Sequence, residues 1–171
     1  MQVFKTLFIC YTLFFSSFKI HAQQGFIAGL GPTYELNNET IGINGRFYYG
    51  PTEKFCFGPE VSYFPYQKID EEYETSIIDL NVNAHYIFEV NHRVGIYPLS
   101  GLNYTIEKER LIDVSENEKE KENEIGLNYG LGSHYNLGRV FAFIEFKGIT
   151  GKLNDEFITL GVIFNLSQKN E

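Results

Sequence analysis

The sequence predicts an all-β fold of eight antiparallel strands, and three observations carry that prediction. Aromatic residues make up 16% of the 171 residues, with 16 Phe and 12 Tyr, a composition that suits strands and excludes a disordered chain. The 16 glycines recur inside apolar runs, where each would cost a helix roughly 1 kcal/mol. Apolar and polar residues alternate with a period of two nearly from residue 26 to residue 166. Mean hydropathy is slightly negative, which excludes a helical membrane bundle, since that needs several stretches of about 20 apolar residues.

The N-terminus does not alternate. Lys5 precedes an apolar run over residues 6–18, interrupted only by small hydroxyls, and Lys19 ends it. The run is too short to span a bilayer as a helix but fits the apolar region of an export signal. Ile20-His21-Ala22 ends on a small residue suited to cleavage. Residues 1–22 therefore read as a signal peptide and residues 23–171 as the exported domain. A lipid-anchored start is not read here, because Ile9 rather than a small residue precedes Cys10. With Cys10 removed, Cys56 stands alone, so no internal disulfide and no paired-cysteine metal site is expected.

The strands follow in order. The first sets Phe26, Ala28, Leu30, Tyr34 and Leu36 against Gly29, Gly31, Thr33 and Glu35. The second sets Ile41, Ile43, Phe47 and Tyr49 against Gly42, Asn44, Arg46 and Tyr48, and the third sets Phe55, Phe57, Val61 and Tyr63 against Cys56, Gly58, Glu60 and Ser62. The fourth is the clearest, with Ile78, Leu80, Val82, Ala84, Tyr86 and Phe88 opposed to Asp79, Asn81, Asn83 and His85. In the fifth, Val94, Ile96, Leu102, Tyr104 and Ile106 oppose Gly95, Tyr97, Gly101, Asn103 and Thr105. In the sixth, Ile125, Leu127, Tyr129, Leu131 and Tyr135 oppose Gly126, Asn128, Gly130, Gly132 and His134. The seventh sets Val140, Ala142, Ile144 and Phe146 against Phe141, Phe143, Glu145 and Lys147. The eighth sets Ile158, Leu160, Val162, Phe164 and Leu166 against Thr159, Gly161 and Asn165. Pro32, Pro59, Pro65 and Pro98 lie inside these runs and predict bulges or strand ends, because each removes a ladder donor.

Alternation alone also describes a soluble sandwich. Two further features choose a barrel in a membrane. The polar face is rich in Gly and Asn, as a narrow lumen would be if it must also hold Arg46, Tyr48, Tyr97, Phe141 and Phe143. The apolar face is continuous and carries aromatics near strand ends, among them Phe26, Tyr34, Phe55, Tyr63, Phe88, Tyr104, Tyr135 and Phe164. An outward apolar band with aromatic girdles is the surface of a transmembrane β-barrel. Links at 50–54, 90–92 and 136–139 are short, while 67–75 and 108–123 are longer and acidic and 149–155 is intermediate; residues 37–38 read as a tight hairpin. The fold class is thus all-β, an eight-stranded antiparallel up-and-down transmembrane β-barrel with both termini on the periplasmic rim.

A signal segment followed by eight amphipathic strands, the last of them (157–166) bearing aromatics, resembles the small bacterial outer-membrane barrels of the OmpA/OmpX type. The resemblance covers the whole exported domain and rests on pattern, so it carries no functional residue across. It implies an outer-membrane location in a Gram-negative envelope, contact with outer-membrane lipid and with the barrel-assembly machinery, and a monomer.

Within the predicted lumen the charged residues stand out. Arg46 and Lys147 share it with Glu35, Glu60, Asp79, Glu107 and Glu145. A charge in a tight lumen needs a partner or water, so Arg46, Glu60, Glu145 and Lys147 are expected to form a structural charge network that fills the barrel. A gate or solute site is the other reading of the same residues. No catalytic, cofactor or metal residues are assigned. His85 and His134 have no second ligand at metal spacing on their strands, and Ser133 and His134, as strand neighbours, point to opposite faces. The stretch 107–124 holds eight acidic and four basic residues, and it reads as a solvated strand extension or loop, with adhesion or divalent-cation binding as the functional alternatives; a calcium-loop signature is absent. The balance of 14 Lys+Arg against 22 Asp+Glu, a net charge of −8, argues against nucleic acid as a partner. A structural, adhesive or surface-interaction barrel is the leading expectation, with no enzymatic activity and no large pore. Two alternatives are a soluble lipocalin-like barrel around a hydrophobic ligand and a lipid-modifying barrel enzyme. The direction in which the apolar face points separates the first alternative from the leading expectation.

Overall fold

A computed structural model describes residues 25–68, 73–111, 118–151 and 154–167; the signal peptide expected at residues 1–22 lies outside them. The strands are β1 (Gly25–Glu35), β2 (Thr40–Gly50), β3 (Phe55–Lys68), β4 (Tyr73–Tyr86), β5 (Phe88–Glu89), β6 (Val94–Leu111), β7 (Glu118–Asn136), β8 (Val140–Thr150) and β9 (Glu156–Asn165). Each pairs antiparallel with its sequence neighbours, β4 pairs with β6 past β5, and β9 pairs back onto β1, so the sheet closes. β5 is a two-residue continuation of β4 across Ile87, and the two together form one stave against β6. The barrel therefore has eight staves. Following paired residues once around the circuit returns to β1 displaced by about ten residues, the stagger that a closed, tilted sheet requires. The seam is finished at the termini, where Leu166 N donates to Phe26 O at 2.8 Å and Phe26 N donates to Ser167 Oγ at 2.9 Å.

The apolar face points outward. Leu30, Ile43, Val82, Leu102, Leu127, Leu131, Ile144 and Leu160 are all exposed, Ile125 is 74% exposed, and the polar face is buried inside. A lipocalin has the opposite sense, with the apolar face inward, so the soluble-barrel alternative is set aside. Exposed aromatics flank the band, and some pack on one another, as Phe26 does on Phe47 with ring centroids 5.6 Å apart. Tyr129 covers its cross-strand partner Gly148, whose Cβ position lies 2.4 Å from the tyrosine ring.

The prolines act where expected. At Pro65 the β3–β4 register shifts between Phe64 and Gln67. The β1–β9 ladder skips Gly31-Pro32, and the β2–β3 ladder skips Gly58-Pro59. Pro98 lies at the changeover of β6 from β4 to β5.

Two links are shorter than the sequence suggests. β6 and β7 pair outward as far as Arg110↔Glu118, so most of the expected link 108–123 is a hairpin extension. β3 and β4 likewise extend to Lys68↔Glu74, and β4 pairs with β6 up to Tyr73↔Leu111. The result is a four-stranded sheet, β3-β4-β6-β7, standing above the outer end of the apolar band.

Candidate functional site

The lumen is the built feature of this chain. Alternation on β2, β3, β4, β6 and β8 turns Arg46, Tyr48, Glu60, Asn83, Tyr97, Glu145 and Lys147 inward, and all are buried. The four charges expected to share the lumen meet there. Arg46 grips Glu145 with both ends of its guanidinium, Nη1 to Oε2 at 2.8 Å and Nη2 to Oε1 at 3.1 Å. Lys147 Nζ donates to Glu60 Oε1 at 2.6 Å, and Arg46 Nη2 lies 3.6 Å from Glu60 Oε2. Two positive and two negative groups thus alternate across the barrel axis.

Neighbouring side chains add further bonds to these ions. Tyr48 OH and Asn83 Nδ2 donate to Glu60 Oε2, at 2.7 and 3.3 Å, and Tyr97 OH donates to Glu145 Oε2 at 3.0 Å. Arg46 Nε donates to Asn44 Oδ1 at 3.0 Å, and the Arg46 guanidinium lies 4.2 Å from the Phe143 ring centroid. Buried ions are tolerated only with partners of this kind, because removing them from water costs several kcal/mol each. The glycines of the lumen make the room. A Cβ on Gly29 would stand 2.8 Å from Arg46 Cγ, one on Gly132 would enter the Tyr97 ring at 2.3 Å, and one on Gly161 would meet Phe143 at 2.6 Å.

The other inward acids do not join this group. Glu35 caps the β1–β2 turn, accepting from Asn37 N at 2.6 Å and Asn38 N at 2.8 Å. That turn needs the help, since Glu39 adopts φ 54°. Asp79 accepts from Thr105 Oγ1 at 2.6 Å within a cluster of Asn81, Asn103 and Asn128. Glu107 lies outward of Ile106 and is part-buried.

Two layers close the lumen on either side of the charges. Toward the rim that carries the termini, His85 stacks on Tyr97 at 4.8 Å and meets Tyr48 edge-on at 4.7 Å, while His134 packs between Tyr97 and Phe141. Ser133 Oγ donates to Gly95 O at 3.1 Å, so Ser133 and His134 are engaged separately and make no nucleophile–base pair. Toward the outer rim, Phe64, Ile77, Ile149 and Phe157 form an apolar plug. The sequence reading missed this plug. Its signal is adjacent apolar residues at the outer ends of strands, as in Tyr63-Phe64, Ile77-Ile78 and Phe157-Ile158, where both faces are apolar.

Outside the barrel wall, Asp155 lies in the link between β8 and β9. Burial pushes its carboxyl up to about 6, and the nearby charges of Glu35, Asp79 and Glu124 add to the shift. The ordinary value is near 3.9. A carboxyl raised in the folded state disfavours folding above its folded pKa, and that penalty fades as pH falls through about 6 toward 4. Asp155→Asn, which keeps an oxygen for Asn37 Nδ2, is therefore expected to stabilise the barrel at pH 7.5 and to flatten the gain seen on acidification to pH 5. Urea midpoints in lipid at the two pH values check this; a variant with the wild-type pH dependence would contradict it.

Among the described residues, no group of three or more His, Cys, Asp or Glu side chains is arranged to hold a metal ion, and no helix is long and apolar enough to cross a membrane.

Residues 11–164 match a model of the family described as outer membrane protein beta-barrel domain. No curated protein sequence matches the chain. Among solved structures, the chain is similar to the N-terminal β-barrel domain of Pseudomonas aeruginosa OprF, with a TM-score of 0.62, 18% identity, and coverage of 84% of this chain and 98% of that one. It is also similar to Ail, the attachment invasion locus protein of Yersinia pestis, with a TM-score of 0.59, 16% identity, and coverage of 84% and 97%. A de novo designed transmembrane β-barrel superposes with a TM-score of 0.56 at 13% identity, covering 83% of this chain and 95% of the design. At such identities the likeness is one of fold.

Proposed function

Since the chain belongs to the outer membrane protein beta-barrel domain family and so resides in the bacterial outer membrane, we propose that it is a non-enzymatic surface-interaction barrel, displaying its protruding sheet to an extended, basic segment of a partner protein. The observation that carries this reading is the outer edge of β7. The β7–β8 ladder ends at Leu127↔Thr150, and residues 118–123 have no strand partner on that side among the described residues. An exposed strand edge offers a row of backbone donors and acceptors that an extended peptide can complete. The opposite edge of the sheet is already closed. Gln67 on β3 accepts from Ile41 N at 3.0 Å and donates to Ile41 O at 2.7 Å, so its side-chain amide takes the place of a peptide unit. The eight acidic residues of 107–124 favour a basic partner. Ail has also been solved in complex with the heparin analogue sucrose octasulfate, a polyanion; the acid balance of this chain's outer extension disfavours that ligand class here.

The test is binding of host or bacterial proteins to the full chain in lipid nanodiscs, compared with a variant in which residues 108–123 are replaced by a short turn. The proposal expects capture of basic proteins that the shortened variant loses, with a steep salt dependence. Equal capture by both forms, or preferred capture of heparin, would overturn it. The barrel acts as a monomer, is inserted by the assembly machinery and needs no cofactor.

On this reading the lumen is structural. Planar-bilayer recording of the wild-type protein is expected to show no steady large conductance, because open channels use about 16 or more strands, and Arg46→Ala is expected to raise brief openings. A steady porin-sized current would revive the solute-channel reading.

A further inference from the structure

The periplasmic rim carries a groove that the barrel wall does not need. It lies between the β5–β6 turn and the β7–β8 turn, measures about 470 Å³, and is lined by His92, Arg93, Tyr135, Asn136, Leu137 and Gly138. We propose that this groove binds the phosphate headgroup of an anionic glycerophospholipid of the periplasmic leaflet.

Both walls are held in place. Asn91 Oδ1 accepts from Arg93 N at 2.8 Å and from Val94 N at 3.0 Å, which fixes the first turn. Asn136 Oδ1 accepts from Gly138 N at 2.7 Å, Leu137 N donates to Val140 O at 2.9 Å, and Gly138 takes φ 101°, which fixes the second. Asn136 N donates to Arg93 O at 2.7 Å and ties the two turns together. The groove is thus a preformed slot.

Its chemistry has two halves. The polar half is Arg93, with Nη1 donating to Tyr135 OH at 3.2 Å, and His92; Arg139 follows directly on the groove's Gly138 and is exposed. A planar guanidinium with donors to spare is the side chain best matched to a phosphate. The apolar half is Leu137, 59% exposed, and the outward ring of Tyr135, which belongs to the aromatic girdle at the edge of the lipid-facing band. A soluble phosphate would have no use for these, whereas a headgroup seated at Arg93 puts its glycerol and acyl chains over them. The same rim carries Glu53 and Glu89, but neither lines the groove. This inference rests on the outer-membrane location and not on the surface partner proposed above.

Native mass spectrometry of the folded protein in detergent, titrated with defined lipids, tests it. Wild-type protein should retain phosphatidylglycerol in preference to phosphatidylcholine, and Arg93→Ala should lower that retention about tenfold, the loss of one charge-assisted contact. Arg93→Gln, which keeps the stem and a donor for Tyr135, serves if the alanine variant fails to fold. Arg110→Ala, on the opposite rim, should retain lipid as wild type does. Equal retention of the two lipids, or undiminished retention by both Arg93 variants, would overturn the proposal. So would retention of soluble glycerol phosphate as strong as that of the lipid, which would show a free-anion site.

Discussion

Lys147→Met is expected to destabilise the folded barrel by about 3–5 kcal/mol, the usual cost of leaving a buried ion without its partner. Among the described residues, Lys147 is the cation on Glu60 Oε1, at 2.6 Å, and the other one near it, Arg46 Nη2, is 3.6 Å from Oε2 and engaged with Glu145. Both Lys147 and Glu60 are buried, so water cannot replace the lost donor without opening the lumen. Methionine nearly matches the lysine stem in length, so it fills much the same space while removing the charge and with it the ammonium that lies 5.4 Å from the Phe157 ring centroid. The double variant Lys147→Met/Glu60→Gln should recover much of the loss, because the glutamine oxygen still accepts from Tyr48 while the unpaired charge is gone. A double-mutant cycle built on urea unfolding in lipid measures the coupling. A loss under about 1 kcal/mol for the single variant would mean that the quartet is hydrated and that the lumen is open.

Val82→Arg should cost about 2–4 kcal/mol, whereas Ile125→Arg should cost about 0–1 kcal/mol. Exposure would rank them the other way, since Ile125 is 74% and Val82 55% exposed. Depth decides. Val82 is the middle residue of the outward run Ile78, Leu80, Val82, Ala84 and Tyr86, with Leu102 beside it on β6. Ile125 borders Glu124, where the charged hairpin begins, so an arginine there reaches water. Heat-modifiable migration and urea midpoints for the two variants check the ranking. Equal costs would refute the assigned bilayer span.

The face of each strand was legible because a period of two needs nothing but the order of residues. Arg46, Glu60, Glu145 and Lys147 could be placed in one lumen on that basis. Which carboxylate each cation chooses was not legible, because it depends on the stagger between β2, β3 and β8, which pairs Arg46 with Glu60 across one ladder and brings Glu145 over from another strand. Glu35, Asp79 and Glu107 looked equally eligible by face, yet the turn, the asparagine cluster and the outward extension hold them apart from the cations. Asn81 falls on the polar face of its strand, but its bonds do not show in the sequence: it is 4% exposed and accepts from Asn103 and Asn128, the latter two strands away. The outward hairpin reads in the sequence as either a strand extension or a loop, because apolar alternation stops after Ile106, and the ladder out to Arg110↔Glu118 decides for the extension. Strand pairing there is supported instead by contacts such as Arg110 with Glu74 at 2.7 Å and Arg110 over the Tyr66 ring at 4.0 Å.

The stagger of about ten residues around the circuit also acts as a lock on sliding. In an open sheet, an end strand can slip against one neighbour and leave the others untouched. Here β9 is joined to β8 and to β1, so a slip at one seam must be matched by an opposite slip at another. A slip of one residue would turn Leu160 and Val162 into the lumen and Thr159 toward lipid. A slip of two would keep the faces, but where it moves β8 it carries Lys147 away from Glu60 and Glu145 away from Arg46. The small slip is thus forbidden by the bilayer and the next one by the buried ions. Two unrelated forces, one outside the wall and one inside it, select the same closure of the ring.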